Sequence, residues 1–91
     1  MSDLFTSPHL AREVTWGDIR LAIEPNGEHW QALVHDHQRC LVLYRAERMT
    51  AQAAKVEAVE FALGHLFGPT HGHNPEDIAC FLGWHSPRGA P

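Results

Sequence analysis

Between Val14 and Glu47 apolar residues recur mainly at every second position, the pattern of extended strands with one buried face. The firmest turn signal inside this stretch is Asn26-Gly27, a pair that tolerates positive φ at both central positions of a two-residue hairpin. Closing the loop there pairs Pro25 with Glu28, Ile23 with Trp30, Leu21 with Ala32 and Ile19 with Val34. Ile19, Leu21, Ile23, Trp30, Ala32 and Val34 then share one face, so turn chemistry and side-chain alternation agree. Gly17 is read as a bulge that returns Val14 and Trp16 to the same face. The next connection, "DHQR", contains no glycine and is read as a type I turn from Asp36 or a loop of His37 and Gln38. A third strand from about Cys40 to Ala46 comes next, with Leu41 and Leu43 on the Trp30 face. That leaves Leu33, His35, Cys40, Val42 and Tyr44 on the opposite face.

After Arg48 the period changes to that of a helix. Residues 51–67 are rich in alanine, with Thr50 placed to cap the start and Gly68-Pro69 to end the run. Val56, Val59, Leu63 and Leu66, with Phe67 beside them, form the stripe expected to cover the Trp30 face. A second stripe of Ala51, Ala54, Ala58, Phe61 and His65 has the same three- and four-residue steps and is expected to face away. A short helix from Pro75 to Leu82 is predicted by the Asn74 cap, proline at the first position, and Glu76 and Asp77 at the positive end. The fold class is therefore α+β: a three-stranded antiparallel meander packed by one long helix, plus a short C-terminal helix. Residues 1–91 make one small domain, with loosely held tails at 1–12 and 86–91.

A chain of 91 residues that is 44% hydrophobic supports one core, and a domain this small is marginal unless something else adds stability. Seven Lys+Arg against eleven Asp+Glu give a net charge of −4, which argues against duplex nucleic acid as a partner. Cys40 and Cys80 lie in apolar runs and are expected to behave as small buried hydrophobes in a reducing compartment. "MSDLFTSPHLARE" lacks the basic start and apolar centre of a signal peptide, so a cytoplasmic protein without a membrane span is expected.

Eight histidines raise the question of metal. His35 facing Cys40 across adjacent strands, about 5 Å apart at the beta carbons, could share zinc or copper. His71 and His73 precede Glu76 and Asp77 and could take zinc or nickel. Neither set carries a second closely spaced ligand pair, so a polar turn beside a thiol and a solvated loop are the simpler readings. Catalysis has little support: Cys80, with His73 or His85 as base, is surrounded by Ile78, Ala79, Phe81 and Leu82, and no hydrolase or nucleotide-binding motif is present. Trp16, Trp30 and Trp84 are expected in packing rather than on a stacking platform.

Over residues 14–67 the order of three antiparallel strands and a helix is similar to ethylene-response DNA-binding domains, the arm-binding domains of phage-type integrases and antitoxins of the HicB type. The outward positions here, Asp18, Arg20, Glu24, Gln31, Leu33, Val42 and Tyr44, lack the basic row of the DNA-reading modules. A sheet-face DNA-binding or antitoxin-like regulator is accordingly the third expectation and a histidine-based metal-binding protein the second. The leading one is a non-enzymatic protein-interaction module without a cofactor, associating as a homodimer. Its surface is expected at Leu33, Val42, Tyr44, Ala54, Ala58 and Phe61, because the sheet and the helix each show two apolar faces where a monomer needs one.

Overall fold

The computed structural model describes residues 11–87. It is an α+β fold with four strands: β1 (Arg12–Trp16), β2 (Ile19–Asn26), β3 (His29–Asp36) and β4 (Leu41–Arg48), then α1 (Ala51–Phe67) and α2 (Pro75–Phe81). The strands form one antiparallel meander in the order β1-β2-β3-β4. The expected three strands become four because Gly17 is not a bulge. With φ at 64° it opens a two-residue turn with Asp18, and Trp16 pairs directly with Ile19. Glycine in the first central position of such a turn matches the right-handed twist of the flanking strands. Val14 and Trp16 still face the helix side, since reversing the chain through a two-residue turn preserves the alternation.

The same chemistry shifts the second hairpin. Gly27 carries the positive φ of 67°, and its neighbours do not. Gly27-Glu28 is therefore the loop, and Asn26 remains the last residue of β2, paired with His29. Ile23 pairs with Ala32 and Leu21 with Val34, two positions away from the register expected with Asn26-Gly27 at the centre. A shift of two leaves every side chain on its assigned face, so the core prediction survives the error in pairing.

The third hairpin departs more deeply. Four residues, His37 to Cys40, connect Asp36 to its pair Leu41. Asp36 builds this loop: its Oδ1 accepts from the backbone N–H groups of Gln38 and Arg39, each at 3.0 Å, and its carbonyl accepts from Cys40 at 2.9 Å. These N–H donors hold the Asp36 carboxyl below its ordinary pKa, the Arg39 bond being the largest cause. Cys40 closes the turn in the left-handed region at φ 57°. Between the pairs His35–Val42 and Val34–Tyr44 the register then slips, with Leu43 as the extra residue. Beyond that bulge the faces of β4 are exchanged: Tyr44 turns toward the helix, opposite Val34, instead of outward.

Helix α1 begins where Thr50 accepts a bond from Ala53 N at 3.0 Å and ends where Gly68, at φ 94°, donates to the Gly64 carbonyl. Its buried residues are Ala54, Ala58, Val59, Ala62 and Leu63. The alanine stripe expected on the outside therefore lies inside, because side chains of one carbon let the helix approach the sheet closely while Val59 and Leu63 fill the flanking space. Below it Ile19, Leu21, Ile23, Ala32 and Val34 are at most 1% exposed. Burying each of the larger aliphatic side chains contributes about 1.5–3 kcal/mol.

Helix α2 opens as expected, with Asn74 Oδ1 accepting from Glu76 N at 2.8 Å and from Asp77 N at 3.4 Å. Ala79 joins the core, and Ile78, Leu82 and Trp84 pack against it. The Trp84 ring lies 5.5 Å from the Lys55 ammonium, and its indole N–H donates to the Ala79 carbonyl at 2.9 Å. His85 then pairs with Glu13 through two backbone bonds of 2.8 and 3.0 Å. Both helices thus serve one face of the sheet. No described helix is long and apolar enough to cross a membrane. Of the two expected tails, Arg12 already opens β1, Ser86 and Pro87 come after the His85 bridge, and 1–10 and 88–91 lie outside the described residues.

Candidate functional site

The six residues expected on an interaction surface separate into two groups. Ala54 and Ala58 are fully buried under the chain's own sheet. Tyr44 and Phe61 stack on each other with ring centroids 4.7 Å apart and planes 9° from parallel, closing the β4 side of the core. The Tyr44 hydroxyl donates to the Glu57 carboxylate, which raises the phenol's pKa, and Glu57 also holds Arg48 at 2.8 Å. Only Leu33 and Val42 remain on the outer face, half-buried and 48% exposed respectively. Tyr44, Phe61 and the two alanines are thus engaged within the molecule, whereas Phe67, expected beside the core-facing stripe, and Phe81 are 54% and 85% exposed.

Among the described residues the fold also leaves open the outer sheet face and one edge. By register, Glu13, Ala22, Leu33 and Arg45 form one row across the four strands, and Thr15, Arg20, His35 and Val42 the next. Gln31 and Glu47 are paired beside them. None of these side chains is buried, and among the described residues no element crosses them. Two guanidinium groups, Arg20 and Arg45, face three carboxylates, Glu13, Glu24 and Glu47, which gives no electrostatic match to a phosphate backbone.

The two edges differ. Strand β1 has five residues, and one of its outward-directed positions, Glu13, already bonds His85 in both directions. Strand β4 has eight residues and, among the described residues, β3 as its single neighbour. It contains neither proline nor lysine, two residues with which natural proteins blunt an open edge. Leu41 and Val42 at its start are 51% and 48% exposed. Arg45 and Glu47 on its outer side were not among the candidates read from the sequence. Their position at an edge is evident only once β4 is known to be the last strand. Glu47 accepts a bond from Asn26 Nδ2 at 3.0 Å, while Arg45 makes no ion pair or hydrogen bond among the described residues.

The histidine and cysteine candidates do not converge on one centre. His35 pairs with Val42, not Cys40, because the loop is four residues long. His35 and Cys40 do line one pocket of about 350 Å³, together with Arg20, Asp36 and His37. Arg20 puts a positive charge beside any cation there, and burial, then Arg20, lowers the His35 pKa below its usual 6.5. Arg20 Nε and His35 Nδ1 are buried nitrogen atoms without a hydrogen-bond partner among the described residues. His71 and His73 stack 5.8 Å apart, but the Nδ1 of His71 accepts the backbone N–H of His73 at 2.8 Å, which occupies that lone pair. Asp77 lines a different opening, a cleft of about 680 Å³ between the two helices with Arg48, Gln52, Glu76 and Cys80. Among the described residues no group of three or more His, Cys, Asp or Glu side chains is placed to hold a metal ion.

Both cysteines are exposed, contrary to their apolar sequence settings. Cys40 sits in the loop that Asp36 folds, and Cys80 lines the cleft between the helices, accepting a 3.9 Å bond from Gln52. His85, considered as its base, bridges β1 through its backbone, and its Nδ1 lies 2.9 Å from the Ser86 carbonyl. His73 packs on Phe67, ring centroids 5.5 Å apart. Trp16, Trp30 and Trp84 all pack against the core. Comparisons with protein-family models, with curated proteins and with solved structures find no match.

Proposed function

We propose that this chain is a non-enzymatic protein-interaction module that self-associates through the β4 edge, extending its sheet into that of a second copy. The single observation behind this reading is the contrast between the edges: β1 is bridged at Glu13 by His85, while the eight-residue β4 has one neighbouring strand among the described residues. Edge backbone donates and accepts hydrogen bonds irrespective of side chain, so a second extended strand satisfies it directly. The half-exposed Val42, with Leu33 and Ala22 beside it on the outer face, supplies apolar area next to the new ladder, and Leu41 is half-exposed on the other side of the strand.

This differs from helix packing through Phe61, since Phe61 is engaged with Tyr44. It is also distinct from a DNA-reading sheet, whose basic row is lacking, and from a metal protein, whose third ligand is lacking among the described residues. Sedimentation equilibrium on the untagged protein tests it. The expected result is a monomer–dimer equilibrium at micromolar concentration, and a monomer throughout the accessible range would contradict it.

A further inference from the structure

We infer that the two copies meet with their β4 strands antiparallel about a twofold axis passing through Ala46, so that Arg45 of each lies opposite the partner's Glu47. This rests on the reading that β4 is the edge of self-association and adds to it the register. The bulge at Leu43 interrupts the alternation of β4, leaving Tyr44 to Arg48 as the regular run: Tyr44, Ala46 and Arg48 on the helix side, Arg45 and Glu47 on the outer side. A twofold axis perpendicular to the sheet presents the same face of both copies, so only residues of like parity can stand opposite each other.

Three centres lie within the run, and charge separates them. An axis at Arg45 sets two guanidinium groups face to face, and one at Glu47 sets two carboxylates face to face; like charges directly opposite are unfavourable. An axis at Ala46 pairs all five residues of the run. Tyr44 then lies opposite the partner's Arg48, and Arg45, without an ion pair among the described residues, faces the partner's Glu47, a pair formed twice, once on each side of the axis. The small Ala46 side chain meets its mate without crowding. Exposed ion pairs of this kind contribute little to affinity; what they supply is discrimination between registers.

Charge reversal tests the register. Arg45→Glu places a carboxylate opposite the partner's Glu47, and Glu47→Arg places a guanidinium opposite the partner's Arg45. Each variant alone should dimerise at least about tenfold more weakly than wild type, because two pairs change sign in every dimer. An equimolar mixture of the two should recover heterodimers, and the double variant Arg45→Glu/Glu47→Arg should dimerise like wild type. Sedimentation equilibrium, with native mass spectrometry to identify the mixed species, reads the wild type and these four samples, and thermal melting confirms that each is folded. A monomeric wild type would remove the self-association reading and the register with it. A wild-type dimer whose single reversals associate undiminished, or whose mixture forms no preferred heterodimer, would overturn the register alone.

Discussion

The two edge strands are made of similar material and end in different states. Both mix apolar and polar residues, and both have one strand as neighbour within the meander. At β1, Trp84 packs against the core and brings His85 to Glu13, so part of the free backbone is satisfied from within the chain. At β4, α1 lies over the helix side and Tyr44 stacks on Phe61, but nothing among the described residues lies alongside the strand. Protection of an edge depends on where later segments of the chain run, and here the described residues after α2 reach the β1 side of the sheet.

The largest effect is expected from exposing the protected edge. Trp84→Ala removes a partly buried indole and its bond to the Ala79 carbonyl, and should cost about 2–4 kcal/mol in chemical denaturation. It should also release His85, so the variant would aggregate where wild type forms only dimers. Next comes the open edge. Successive residues of a strand direct their N–H groups to opposite sides, so of Arg45→Pro and Ala46→Pro one removes an outward donor and the other a donor used by β3. The first should stay folded and become monomeric; the second should lose about 1–3 kcal/mol of stability. Two folded dimers would erase the contrast between the edges. Tyr44→Phe should then cost about 1 kcal/mol, for the bond to Glu57, while keeping the ring on Phe61.

The smallest effect concerns the outer face. Burial and Arg20 hold the His35 pKa below 6.5, so the unfolded chain takes up the proton first. The corresponding stability is fully present above pH 6.5 and falls as pH drops through 6.5 toward the folded value. Melting temperatures between about pH 7.5 and 5.5 should decline less steeply in His35→Gln than in wild type, and equal slopes would show that His35 is solvated like any surface imidazole.

Much of the fold was legible in the sequence because it rests on local chemistry. Thr50, Gly68 and Asn74 cap as their residue types dictate, and the bounds of α1 match the expectation. The faces of β2 and β3 were also legible, since a register shift of two preserves them. Gly17-Asp18 carried a hairpin signal as good as that of Asn26-Gly27, and reading it as a bulge cost one strand. The bulge at Leu43 has no such signal: "LVLY" is apolar at every position, so neither alternation nor a turn residue marks where the faces exchange. The alanine stripe misled for a related reason. Small residues suit packing against another chain and packing against one's own sheet equally well, and only the three-dimensional placement of Ala54 and Ala58 at zero exposure decides between them. Arg45 and Glu47 acquire meaning solely from standing at an edge.

Hydrogen–deuterium exchange at several protein concentrations tests pairing at β4 most directly, because it reports each strand's amides separately. Outward amides of β4 between Tyr44 and Arg48 should become more protected as concentration rises through the micromolar range, while those of β1 stay unchanged. Exchange in β4 that is fast and independent of concentration, alongside a protein that sediments as a dimer, would place the contact elsewhere and contradict pairing at this edge.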